Sequence, residues 1–136
     1  MSTAAHKDET VIAHGAEVLA SMKDLSRALV YASILTDDGF EVVSVPSAGE
    51  RRIGRMASMA SSMQALSDAV ARELQMGLSE YIIIATESGY VIQLRIPGQT
   101  LVMSTKFDDS ETLGKALSIS RLSATRLSAL MSGATP

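Results

Sequence analysis

His6 and His14 are the only imidazoles in this 136-residue chain, and they stand eight positions apart. Two metal ligands on one helical face need a spacing of three or four, so the pair makes no metal site. They read as a tail and an exposed-helix histidine. Serines are plentiful, but a serine nucleophile needs a base beside it. Both histidines lie in or before the first predicted helix, and no serine sits in a G-x-S-x-G elbow. Ser58, Ser61, Ser62 and Ser67 read as helix-surface residues. Gly114-Lys115 has the end of a phosphate loop, yet no glycine lies five residues upstream and Ala116 stands where the loop needs a hydroxyl. It reads instead as a glycine for close helix packing beside an exposed lysine. With no cysteine in the chain, disulfide and thiolate chemistry are absent. The sequence therefore predicts no enzyme, no metal and no cofactor.

One charged cluster remains. Arg51, Arg52 and Arg55 open the longest predicted helix, where the macrodipole is already positive and each cation costs a few tenths of a kcal/mol. A solvated surface tolerates that placement. The alternative is a cluster that docks an acidic partner.

The bulk properties limit what those partners are. Hydrophobic residues make up 46% and charged residues 20% of the chain, with a net charge of −3, a globular composition that fits one domain over residues 1–136. The chain is long enough to bury roughly two thirds of its unfolded surface without a staple. An acidic balance argues against nucleic acid, which demands a basic face. Met1 to Asp8 is polar and has no apolar signal core, and no run approaches a membrane span. The expectation is a cytoplasmic protein, with residues 1–8 and 132–136 as flexible tails.

Periodicity supplies the elements. Glu9 to Lys23 repeats Val11, Gly15, Val18, Met22 and Leu25 at helical spacing. Ala28–Thr36 and Phe40–Val45 flank Asp37-Asp38-Gly39 as a hairpin. Ser47-Ala48-Gly49-Glu50 is a capping box that predicts a helix from Glu50 to Met76, stopped by Gly77. Strands follow at Glu80–Thr86, Tyr90–Ile96 and Leu101–Lys106, separated by Ser88-Gly89 and Pro97-Gly98 turns. Asp108-Asp109-Ser110 would cap a helix from Glu111 to Met131, its core face Leu113, Leu117, Ala124, Leu127 and Met131. The order α-β-β-α-β-β-β-α predicts an α/β (α+β) fold with three helices on one mainly antiparallel five-stranded sheet. The end helices share one face; the long helix takes the other, or lies beside them.

The long helix is apolar over more than one face. Ile53, Met56, Ala60, Met63, Ser67, Val70 and Leu74 form one row, Met59, Leu66 and Ala69 a second, and much of the rest is small: Gly54, Ala57, Ser58, Ser61, Ser62, Ala65. One row suffices to cover a sheet. The second either faces another helix of the same core or a partner, for which unbranched methionine is well suited. Tyr81, Ile82, Ile83 and Ile84 pose the same choice. They make a central strand, or an apolar edge that needs covering, and pairing with its own copy across a twofold axis would cover it.

Leu29-Val30-Tyr31-Ala32 leading to Asp38-Gly39, the Ala/Met-rich helix, Ser88-Gly89-Tyr90, Leu101-Val102-Met103 before Asp108-Asp109, and Leu113-Gly114 fall in one register along the chain. In that register the chain resembles the dynein light-chain roadblock family, particularly its bacterial MglB-like members, from about Leu25 to Met131. The resemblance implies a roadblock/profilin-like fold, no catalysis, and a homodimer built from the long helix and the strand after it. The interface would hold Met56, Met59, Ala60, Met63, Leu66 and Tyr81 through Ile84. It also implies a partner, since bacterial relatives commonly bind small Ras-like GTPases, and Arg51, Arg52 and Arg55 become candidate contacts. Other functions fit the same fold: a small-molecule sensor of profilin/PAS-like architecture, or a scaffold subunit with no GTPase.

Overall fold

The computed structural model describes residues 7–46 and 50–133, without the side chains of residues 50–53. In chain order the elements are α1 (Glu9–Leu25), β1 (Leu29–Thr36), β2 (Glu41–Val45), α2 (Glu50–Glu73), β3 (Tyr81–Thr86), β4 (Gly89–Arg95), β5 (Leu101–Asp108) and α3 (Leu113–Met131). This is the order the periodicity predicts. Residues 47–49 of the capping box, residues 1–6 and 134–136 of the expected tails and the side chains of Glu50, Arg51, Arg52 and Ile53 lie outside the described residues, whereas Asp8, expected in the tail, caps α1 by accepting from the Thr10 amide at 2.9 Å.

The five strands form one antiparallel sheet in the order β2-β1-β5-β4-β3. Paired residues share a face, so Ser33, Ser104, Gln93 and Ile82 make one row across β1, β5, β4 and β3. Ile34, Met103, Leu94 and Tyr81 make the neighbouring row on the opposite face.

That second face carries the main core. Val18, Leu19 and Met22 of α1 and Ala116, Ile119, Ala124 and Leu127 of α3 close over Ile34, Ile92, Leu94, Met103 and Phe107. Gly15 lets α1 settle onto the sheet, because a Cβ there would lie 2.8 Å from Val43 Cγ1. Two buried hydroxyls sit in this core without penalty. Thr105 Oγ1 donates to the Ile92 carbonyl at 3.1 Å and lies 3.1 Å from Ser120 Oγ, which bonds the Ala116 carbonyl at 2.9 Å. An Arg126–Glu17 ion pair at 3.2 Å and an Arg126–Ser21 hydrogen bond at 2.9 Å link the outer surfaces of α3 and α1.

Three local expectations are corrected. Asp108 does not cap α3; its carboxylate accepts from the Ser110 amide at 2.8 Å and shapes the turn, and Thr112 is the cap, accepting from the Lys115 amide at 3.2 Å. Gly114 brings no element close, since a Cβ there would meet nothing within 4 Å. α2 stops at Glu73 rather than Met76, because Gln75, not Gly77, first takes the left-handed conformation (φ +56°). The Met76 amide then reaches the Ala71 carbonyl at 2.9 Å and the Gln75 amide the Arg72 carbonyl at 3.0 Å. These bonds satisfy the helix's last carbonyls.

Glu111 ties the start of α3 to the α1–β1 junction. The Ser26 hydroxyl donates to its carboxylate at 2.8 Å, and Lys115 lies 3.7 Å away. The Ser26 hydrogen bond, foremost, holds the Glu111 carboxyl below its usual range. A group lowered on folding stabilises the protein above its ordinary pKa and loses that contribution as pH falls. Glu111→Gln is therefore expected to flatten the acid limb of the stability curve below about pH 4.5, with little change in its slope near neutrality. Urea unfolding midpoints from pH 3 to 7 check this.

Candidate interaction surface

The residues of α2 that face the sheet are small or polar. Ala57 and Ala60 are buried against Leu35, and Gln64 lies buried beside them. Small side chains bring the helix backbone near enough for Gln93 Nε2, on β4, to donate to the Ala60 carbonyl at 2.9 Å and to Gln64 Oε1 at 3.3 Å. Ser61 Oγ donates to the Asp37 carbonyl at 2.9 Å, Asp68 pairs with Arg95, and Ser67 bonds Ser79. Ser61 and Ser67 thus anchor the helix rather than face solvent. Ala60, expected in a partner interface, is instead committed to the sheet.

The methionine row is left free by that docking. At 100° per residue, Met56, Met59, Met63 and Val70 fall roughly opposite Ser61 and Asp68, which hold the other flank to the ends of β1 and β4. Met56 and Met63 are half-buried, whereas Met59 is 52%, Leu66 67%, Val70 50% and Leu74 61% exposed. Leu74, Met76 and Leu78 continue the exposed apolar surface past the helix end.

β3 is an edge strand, paired only with β4 among the described residues. Ile82 and Ile84 share a face with Gln93 and Val91, the face that α2 crosses. The free flank of α2 and these isoleucines therefore lie on the same side of the sheet. Tyr81 and Ile83 point the other way. Ile83 packs at the margin of the main core, and the Arg121 guanidinium lies over the Tyr81 ring at 5.9 Å. Of the arginines expected as contacts, Arg55 is exposed on the first turns of α2.

Sequence patterning singles out Met59, Met63, Leu66 and the β3 residues as apolar runs, and Met59, Leu66, Tyr81 and Ile84 among them are exposed. It misses the Gln64–Gln93 and Asp68–Arg95 pairs, whose partners are 29 and 27 residues apart. Their only local signal is polar residues in the middle of apolar segments. It also misses a surface groove of about 430 Å³ lined by Tyr81, Arg95, Arg121 and Thr125, among others.

Chemistry is sparse. Among the described residues no cluster of three or more histidine or carboxylate side chains could hold a metal ion, and no helix is long and apolar enough to cross a membrane. Burial, the leading cause, raises the pKa of Tyr31, which keeps its phenol protonated through the neutral range.

No sequence-family model matches this chain, and no curated protein sequence matches it. Solved structures do. The gliding protein MglB of Thermus thermophilus superposes with a TM-score of 0.76 at 17% identity, covering 98% of this chain and 96% of that one. An MglB solved in a tetrameric arrangement matches at 0.76 and 18%, covering 99% and 96%. A Roadblock/LC7 domain from Streptomyces avermitilis matches at 0.72 and 12%, covering 86% and 94%. The chain has the roadblock fold in its MglB-like form.

Proposed function

We propose that this chain is an MglB-like member of the roadblock family: a non-enzymatic, cytoplasmic homodimer that binds a small Ras-like GTPase and modulates its nucleotide cycle or its localisation. The observation that carries the proposal is the uncovered apolar surface formed by the α2 flank and the β3 edge. Clustered exposed apolar residues on a small protein mark interaction sites, and a bare apolar strand edge invites aggregation unless it is paired. The tetrameric arrangement of one structural neighbour is a self-associated form of this fold. A twofold dimer buries the surface in both copies and leaves two α2 helices side by side, a composite face that a single chain lacks.

The GTPase follows from the fold likeness together with that composite face. A GTPase reorders its switch loops around the γ-phosphate, so a partner that touches those loops discriminates the two nucleotide states by differential affinity. Arg51, Arg52 and Arg55 at the start of α2 are the contacts we assign to an acidic partner surface. Any effect on hydrolysis then comes from positioning the GTPase's own residues. The test is binding of the purified dimer to a Ras-like GTPase from the same genome, loaded with a GTP analogue or with GDP. We expect at least tenfold tighter binding of the GTP form, and for Arg55→Ala a slower association with weaker salt dependence. Equal binding in both states would reduce the protein to a scaffold. No binding of either state would remove the GTPase from the proposal.

A further inference from the structure

The two sides of the sheet are held in unlike ways. On one, α1 and α3 close over a single cluster of large buried side chains that runs from Val18 to Leu127. On the other, the buried apolar contact of α2 among the described residues is a separate cluster of Leu35, Ala57 and Ala60. Hydrophobic stabilisation scales with the apolar area buried. One leucine and two methyl groups therefore hold a helix of 24 residues far more weakly than the main core holds α1 and α3.

Polar contacts make up the rest of this seam, and two of its polar atoms are left over. Gln93 donates through Nε2 to the Ala60 carbonyl and to Gln64. Its Oε1 is buried without a hydrogen-bond partner among the described residues, and the same holds for Arg95 Nε. Gln93 and Arg95 stand two residues apart on β4 and so share the face that α2 covers. A buried group without a partner carries its full desolvation penalty, and water restores both groups when the helix lifts. The Asp68–Arg95 pair opposes lifting, but its side chains are 15% and 30% exposed, so water screens it.

The chain beyond the helix end suits a hinge. Gln75 (φ +56°) and Gly77 (φ +83°) take left-handed conformations, a Cβ at Gly77 would meet nothing within 4 Å, and Leu74, Met76 and Leu78 are exposed. Such a segment absorbs a change of backbone angle without disturbing packing. The Ser67–Ser79 hydrogen bond ties it to the helix.

We infer that α2 opens from the sheet as a unit, hinged on residues 74–80, while the sheet, α1 and α3 stay folded. The opened helix is weak on its own, with Gly54 and serines at positions 58, 61, 62 and 67, so its amides exchange with solvent once it has left the sheet. Opening also parts the methionine flank from Ile82 and Ile84. A partner that touches both selects the docked form, and the docking equilibrium sets its apparent affinity. That consequence rests on the interaction surface proposed above; the opening itself does not.

Hydrogen exchange read by mass spectrometry tests the opening in the full-length protein, as wild type and as Leu66→Glu. Leu66 is 67% exposed on the free flank, so a charge there opposes self-association without touching the seam. In Leu66→Glu, residues 54–73 are expected to exchange at least about a hundredfold faster than β1 and β5. Their urea dependence should be weaker, because opening exposes less surface than unfolding. Ile119→Val in the same background thins the main core and should speed β1 and β5 about fivefold. It should leave residues 54–73 unchanged, since the core is intact in the opened form. Asp68→Ala should speed residues 54–73 about threefold. Residues 54–73 that exchange at the rate of β5, or that quicken with Ile119→Val, open only with the whole protein and overturn the inference. Unchanged α2 exchange in Asp68→Ala overturns the seam as what holds the helix. Slower α2 exchange in wild type than in Leu66→Glu is the expected sign of a second copy covering the flank. Equal exchange, with wild type sedimenting as a monomer, removes the dimer and leaves the opening decided by Leu66→Glu.

Discussion

Alanine in place of Gly89 is expected to remove a large part of the protein's folding stability. Gly89 begins β4 at φ +149°, and a Cβ built there would lie 1.9 Å from the Phe107 carbonyl oxygen and 2.8 Å from Asp108 Cα. These are backbone atoms of β5, which is paired on its other side with β1, so the clash cannot be relieved by turning a side chain. The strand must move, and with it Phe107, which is fully buried in the main core. Backbone strain of about 1–3 kcal/mol and core displacement of similar size add to roughly 4 kcal/mol, against a typical total of about 5–15 kcal/mol. Gly98→Ala separates the two causes. Gly98 also has positive φ, +72°, but a Cβ there meets nothing within 4 Å. Its loss should be about 1–2 kcal/mol, the left-handed penalty alone. Urea unfolding of both variants makes the comparison. A Gly89→Ala protein as stable as the Gly98→Ala protein would show that β5 yields easily at Phe107.

The element order is legible because each boundary has a local chemical cause. Asp37-Asp38-Gly39, Ser88-Gly89 and Pro97-Gly98 punctuate apolar strands, and every one of these breaks is a turn in the structure. What the sequence conceals is which face of α2 meets the sheet. Hydrophobic periodicity finds two apolar rows on the helix and leaves open which of them meets the sheet, since burial of large apolar side chains is normally what docks a helix. Here the docking face is Ala57, Ala60 and Gln64, and hydrogen bonds from Gln93 and Ser61 take the place of apolar bulk. Such contacts join residues far apart in the chain, and no local pattern encodes them. The same inversion explains the free surface. A helix held by its small residues leaves its large ones outside, and a sheet that ends on Tyr81–Ile84 has an apolar edge beside them. Arg121 over Tyr81 is hidden for the same reason, since α3 and β3 meet only in the folded chain.

Leu66→Glu should then convert the dimer to a folded monomer. Leu66 is 67% exposed in the single chain, so a glutamate there remains solvated and helix-compatible, and the thermal midpoint should stay within a few degrees of wild type. In the proposed dimer the same position lies on the free flank of α2, and symmetry places two such charges in one apolar contact. Desolvating an unpaired carboxylate costs several kcal/mol, so the dissociation constant should rise at least a hundredfold, which is about 3 kcal/mol. Sedimentation velocity across a concentration series reads the shift. Ala60→Glu gives the opposite signature. Ala60 is pressed against the sheet with its carbonyl bound to Gln93, so its charge displaces α2 and lowers the thermal midpoint sharply. GTPase binding, if the proposed function holds, should follow the assembly state: Leu66→Glu is expected to lose it although Arg55 and the rest of the first α2 turns are untouched, because in the proposed dimer the face offered to the GTPase is made by two helices. Retained GTPase binding by the monomeric variant would assign recognition to a single chain, and would leave dimerisation as a means of holding two GTPases together.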